Sequence, residues 1–224
     1  AACDENALVR PIETAMGKGV PVVTIDSGVK SDKPVSFVAT DNVAGARLAA
    51  DALLELTGGG KVALIAFVPG AATSELREQG FKEGVESHPE LELVATQHCY
   101  SDVAKAMDIT QDLLTSHSDL KGIFAANEAA AIGAAQGVKA AGRAGEIKIV
   151  AFDAAKEEVS ALEEGTLQAL IVQNPFNMGY MGVKAVLDAI KGESVEKRID
   201  TGVTVVTKEN LNDADVQKII NPEV

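Results

Sequence analysis

The sequence predicts an α/β fold with parallel sheets flanked by helices, and three observations predict it. Between Gly122 and Asn174 lie three short apolar runs, GIFAAN, IKIVAFD and QALIVQN. Helix-like segments, EAAAIGAAQGVKAAG and KEEVSALEEG, separate them. Each run ends on a residue that can form hydrogen bonds: Asn127, Asp153 and Gln173. Runs of this kind with β-branched content read as strands buried on both faces. Helices between such strands make them parallel, and right-handed crossovers put their carboxyl ends on one edge. Open α/β sheets bind their ligands at that edge.

The other elements follow the same logic. NALVRPIETAMGK (6–18) reads as an amphipathic helix with Leu8, Ile12, Ala15 and Met16 on one side. Pro11 falls near its first turn, where a missing N–H costs little. VPVVTID (20–26) reads as a buried strand ending on Asp26, SGVKSDKP as a loop, and VSFVAT (35–40) as a further strand. Asp41-Asn42 offers a cap to the helix VAGARLAADALLEL, which TGGG ends. KVALIAFV is the next strand, ELREQGFKEGVESH (75–88) a helix, LELVATQH a strand, and Ser101 or Asp102 caps the helix after it. FNMGYMGVKAVLDAIKG is a helix, TGVTVVT a final strand, and a short closing segment ends the chain. The sum is about eight strands alternating with about seven helices, as a parallel α/β architecture requires. The alternation breaks at VSFVATDN, which suggests the chain crossing from one sheet to another.

Composition narrows the function. Hydrophobic content of 46% and charged content of 24% over 224 residues suit one or two globular domains. A net charge of −13 disfavours nucleic acid and anionic membrane surfaces, which need a basic footprint. No stretch is long and apolar enough to span a membrane. The opening, AACDENALVR, has neither a basic start nor an apolar run, so no signal peptide is expected in it. Cys3, in a stretch resembling the end of a lipoprotein cleavage site, is taken as structural. Cys99 has no evident partner, and the histidines make no metal spacing.

The search for enzymatic motifs is negative. GGGK (58–61) precedes a strand and lacks phosphate-loop spacing, so it reads as a turn. Neither a GxSxG elbow nor a GxGxxG after a strand is present. His88, His98 and His117 read as surface residues at segment ends. Glu157-Glu158 and Glu163-Glu164 fall on a helix expected to be exposed, which argues against a catalytic carboxylate pair. One Asp or Asn after a strand is usually a turn former or cap. Asp26, Asn127, Asp153 and Gln173 at four strand ends are better explained together, as hydrogen-bonding groups for a polyhydroxylated ligand. Tyr100, between a strand and a helix, offers a ring to stack on a sugar face or to pack at a core edge.

GVPVVTID, VATDNVAGARLAADAL, the RxxGF of Arg77 to Phe81, LLTSHSDLKGIFAANEAAAIGA, IVAFD, LEEGTLQALIVQNP and DTGVTVVTKEN occur in one order along nearly the whole chain. In these stretches the sequence resembles the periplasmic ribose-binding protein family, type I solute-binding proteins of sugar ABC transporters. The resemblance implies a two-lobe type I periplasmic-binding-protein fold with its first lobe incomplete. That lobe would comprise 1–40 and 174–203, and the second 41–173 with 204–224. Family members begin with two further strand–helix units and a third strand, roughly sixty residues, before the point where this chain starts.

By position, the resemblance implies a ligand-binding set of Asp26, Ser27, Ser74, Tyr100, Asn127, Asp153 and Gln173, with no catalytic residue, metal or cofactor. It departs from the family at Ser27, where an Arg often stands, and at Ser74 and Glu75, where another sugar-binding Arg is expected. These departures leave a pentose, a hexose or a polyol open. The implied partners are a small carbohydrate and an ABC transporter permease, with no nucleic acid. A homo-oligomer or a complementing N-terminal fragment would cover the incomplete lobe. The full-length form would be periplasmic, or extracellular and lipid-anchored, and this chain alone would bind weakly. The alternative is the effector-binding core of a LacI-type repressor; a Rossmann-like enzyme stands third.

Overall fold

The computed structural model describes residues 4–222. Seventeen elements follow one another: α1 (Val9–Gly17), β1 (Val23–Ile25), β2 (Ser36–Ala39), α2 (Asn42–Thr57), β3 (Gly60–Ala66), α3 (Ala72–Ser87), β4 (Leu91–His98), α4 (Val103–Ser116), β5 (Leu120–Ala125), α5 (Glu128–Ala140), β6 (Lys148–Phe152), α6 (Lys156–Glu164), β7 (Ala169–Gln173), α7 (Pro175–Lys191), β8 (Arg198–Asp200), β9 (Val203–Thr207) and α8 (Ala214–Ile220). They form two sheets. The larger has the order β4-β3-β5-β6-β7-β9 and the smaller β1-β2-β8. Every pairing is parallel except β7 with β9.

The larger sheet is buried on both faces, as its apolar runs require. Period-two alternation divides it: Val62, Leu64 and Ala66 of β3 face one core with Phe81, Phe124 and Phe152, while Ala63 and Ile65 face the other with Ile123, Ile149 and Leu162. Phe81 and Phe124 stack at 4.9 Å between ring centroids. Small residues bring the helices close: a Cβ on Gly80 of α3 would lie 2.3 Å from the carbonyl oxygen of Val43 at the start of α2. Asp41 caps α2 by accepting from the Ala44 N–H at 2.9 Å, and Asp102 caps α4 through Lys105. The order of the larger sheet reverses between β3 and β5, and open α/β sheets bind their ligands outside the carboxyl ends of their strands near such a reversal.

The chain crosses between the sheets three times, after β2, after β7 and between β8 and β9. Two crossings are tied together. Asp200 Oδ1 accepts from the N–H groups of Asp41 and Gly202, both at 3.0 Å, and Arg198 donates to the carbonyls of Ala39 and Thr40.

Several expectations need correction. β1 has three residues instead of a long buried run, and Ile25 on it is 41% exposed. Pro21 brings no N–H to a ladder, and β1 is an edge strand. β8 and α8 were not anticipated, and β9 runs antiparallel to β7 because the chain leaves the larger sheet at the end of β7 and re-enters it at Val203, opposite Gln173. α3 begins three residues earlier than expected, at Ala72. The glycines before β3 do form a turn: Gly58, Gly59 and Gly60 all have positive φ. Cys99 is free and buried, whereas Cys3 lies outside the described residues. No described helix is long and apolar enough to cross a membrane. On α7, Phe176, Tyr180, Val183, Leu187 and Ile190 form an exposed apolar stripe at heptad spacing.

Candidate functional site

Asp26 and Asp153 each follow the last residue of a strand and turn the backbone into the left-handed region, with φ of 64° and 87°. Their N–H groups still serve the neighbouring strand, Asp26 donating to the Val38 carbonyl at 2.9 Å and Asp153 to that of Ile171 at 3.1 Å. The ladder is thus completed before the chain turns away. Asp is one of the few non-glycine residues that tolerates this conformation, because its short side chain can hydrogen-bond locally.

Asp26, Asp153 and Gln173 line one cavity of about 390 Å³, with Glu128, Ile25, Met178 and the C-terminal Ile219. The first carboxylate comes from the smaller sheet and the other two groups from the larger, so the cavity lies between them. Gln173 Nε2 donates to Asp153 Oδ1 at 2.6 Å, while Gln173 Oε1 is buried without a protein partner. Burial pushes the Asp26 carboxyl up from its ordinary value, and nearby Asp153 adds to this, while the charge of Arg77 opposes it. Chemically this is a set of acceptors and one amide around a partly apolar space. No group of described residues could hold a metal ion.

Arg77 organises the rim, and sequence reasoning missed its role, although RxxGF contained it. It is 3% exposed. Its Nε donates to Asn42 Oδ1 and its Nη1 to the Ala126 carbonyl, each at 2.8 Å. The guanidinium lies 3.7 Å from the centroid of the Phe152 ring and 3.8 Å from Asp153 Oδ2. One side chain therefore joins the start of α2, the end of β5 and the end of β6. The cation is kept in the interior by stacking, by a fork of hydrogen bonds and by the carboxylates.

The remaining expected residues lie elsewhere. Asn127 caps α5, its Oδ1 accepting from the Ala130 N–H at 3.0 Å while its Nδ2 donates to Ser101 Oγ at 3.1 Å. Tyr100 is 56% exposed, with φ of 57°, and its ring carries the Lys105 ammonium at 4.0 Å. Ser27 is buried, as is Ser74, whose Oγ has no protein partner. None of these four lines the cavity of Asp26 and Asp153.

One expectation is overturned. Glu158 is fully buried, not exposed. Its Oε2 accepts from the Ala155 N–H at 2.7 Å, bracing the loop after Asp153, and its Oε1 has no protein partner. Burial raises its pKa to about 9, so it is a neutral acid at pH 7. The signal was present in the helical period, since Glu158 shares a face with Ala161 and Leu162. Glu157, Glu163 and Glu164 are exposed as expected. His88 and His98 stand at segment ends, half-buried and beside Asp51 and Glu78.

Residues 1–194 match a family model described as a periplasmic binding protein domain. The ribose import binding protein RbsB of Haemophilus influenzae is 33% identical over 204 residues, 91% of this chain and 69% of that protein. Among solved structures, an ABC transporter solute-binding protein of Agrobacterium vitis with bound D-fucose superposes with a TM-score of 0.92 at 38% identity, covering 97% of this chain and 76% of that one. A second from the same organism, bound to α-D-tagatopyranose, gives a TM-score of 0.93 at 36% identity and covers 98% and 78%. These relatives are binding proteins and not enzymes, and the fold is that of the type I periplasmic binding proteins with a partial first lobe. The chain belongs to the periplasmic binding protein domain family, as a relative of the ribose-binding proteins of sugar ABC transporters.

Proposed function

We propose that this chain is a carbohydrate-binding solute receptor that takes a monosaccharide or polyol between two lobes. The lobes we assign are 1–40 with 174–203 and 41–173 with 204–224. The observation that carries the reading is the cavity between the sheets, where Asp26, Asp153 and Gln173 converge and Gln173 Oε1 has no protein partner. Carboxylates accept from sugar hydroxyls, and an amide both donates and accepts. Tyr100, Asn127, Ser27 and Ser74 would join this set if the lobes move together around the ligand. Such closure follows from ligand contacts made on both sides. The closed form would be recognised by a membrane permease on the periplasmic or outer face, and a lipid anchor on the receptor would suit that place.

The smaller sheet offers little of the opposing wall, so this chain by itself should bind weakly, with Kd on the order of 1 mM. The unpaired edge of β1 and the apolar stripe on α7 suit the additional N-terminal strand–helix units that the family resemblance implies. A chain carrying them should bind more tightly.

Calorimetry with D-ribose, D-allose, D-fucose and D-tagatose tests the site, on this chain and on the longer one. The best sugar should lose at least about tenfold in affinity on Asp153→Ala, since a charge-assisted hydrogen bond is worth about 1.5–3 kcal/mol. Unchanged affinity in that variant, or no binding of any sugar to the longer chain, would overturn the assignment.

A further inference from the structure

A second cavity, of about 500 Å³, shares no lining residue with the first. It lies between the smaller sheet and the N-terminal turns of α2 and α3. Thr24, Ser36 and Phe37 line it from the smaller sheet, and Thr73 and Leu76 from α3. Ser36, one of the lining residues, is 1% exposed, and its Oγ has no protein partner. A buried hydroxyl without a partner is unusual and calls for an explanation. Thr24 and Thr73 bring two further hydroxyls to the same wall, and Phe37 and Leu76 supply apolar surface.

The charged groups at the cavity narrow what it would take. Lys197 Nζ is engaged by the carbonyls of Asp32 and Pro34, at 3.1 and 3.0 Å. Glu5 is paired with Lys30 at 3.2 Å. Asn42 is also committed, its Oδ1 accepting from Arg77 and its Nδ2 donating to the Thr40 carbonyl. Asp32 is exposed at the rim. An anion would find no uncommitted cation among these groups, and a cation would find only a solvated carboxylate. An uncharged molecule with hydroxyls on one side and carbon on the other matches the wall.

We propose that this cleft is a second binding site, for a small uncharged hydroxylated molecule seated between β2 and α3. Because Thr73 adjoins Ser74 and lies one turn before Arg77, the occupant touches the helix whose arginine reaches Asp153. A molecule contacting both the smaller sheet and α3 is also sensitive to their relative placement.

The test uses cis-1,2-cyclohexanediol as the probe, titrated into the whole chain and followed by amide NMR shifts. Saturable shifts with Kd on the order of 1–10 mM should centre on Thr24, Ser36, Phe37, Thr73 and Leu76, with those at Asp153 and Gln173 smaller. Ser36→Ala removes the hydroxyl without adding bulk, so it should weaken the probe by about fivefold in a chain that remains folded. Thr73→Phe should fill the cleft and abolish the shifts. If the shifts do not saturate, if they centre on the Asp153 cavity, or if Ser36→Ala leaves affinity unchanged, the second site does not exist. The sugar assignment is read by different residues and would survive that result.

Discussion

Arg77→Ala is expected to be the most damaging single substitution at the rim, lowering stability by about 3 kcal/mol in urea unfolding. Removing the guanidinium strands Asn42 Oδ1 and the Ala126 carbonyl without their donor, and lost hydrogen bonds to buried partners cost about 1–3 kcal/mol each. Stacking on Phe152 is lost as well. The ion pair with Asp153 adds less, because it is long at 3.8 Å and that carboxylate is 30% exposed. Arg77→Lys should recover only part of the loss, since an ammonium cannot reproduce the planar fork. If Arg77→Ala unfolds at the same urea concentration as the parent, the side chain does not hold these three elements together.

Glu158→Gln should stabilise the chain, and increasingly so as the pH rises. The folded carboxyl has a pKa near 9 against an ordinary value of 4.5. The folded state therefore holds the proton more tightly than the unfolded state. The resulting stability is fully present below about pH 4.5 and is lost progressively as the pH rises through 9. Between pH 4.5 and pH 7 this loss amounts to about 3 kcal/mol. Glutamine can still accept from the Ala155 N–H and carries no charge to bury. Melting curves of the two proteins should converge at pH 4 and separate steadily to pH 9. Parallel curves across that range would mean that Glu158 is not buried as a neutral acid.

The contrast between these residues shows what the sequence made legible. The larger sheet was readable because long apolar runs alternate with helices, and the strand ends at Asn127, Asp153 and Gln173 followed directly. Asp26 was placed correctly at a strand end, but its strand was read too long, because the apolar run from Val20 extends beyond the residues that pair. Arg77 escaped because a buried arginine is defined by partners from distant segments, Asn42, Ala126 and Phe152, which no local pattern links. Glu158 was misread by weighing its charge above its helical phase. β8 was too short to register, and without it the reversal into β9 could not be seen.

The left-handed turns at the strand ends have a consequence for engineering. Asp26, Tyr100, Ser101 and Asp153 all hold positive φ without being glycine, and each such residue costs on the order of 1 kcal/mol. The rim is therefore a place where durability and recognition compete for the same positions. Asp153→Gly and Asp153→Ala both lack the carboxylate, but only glycine relaxes the backbone, so the glycine variant should melt several degrees above the alanine one, while both should show the weakened sugar affinity proposed for loss of this carboxylate. Heat resistance selected without regard to ligand would drift toward glycine at this edge and remove its carboxylates.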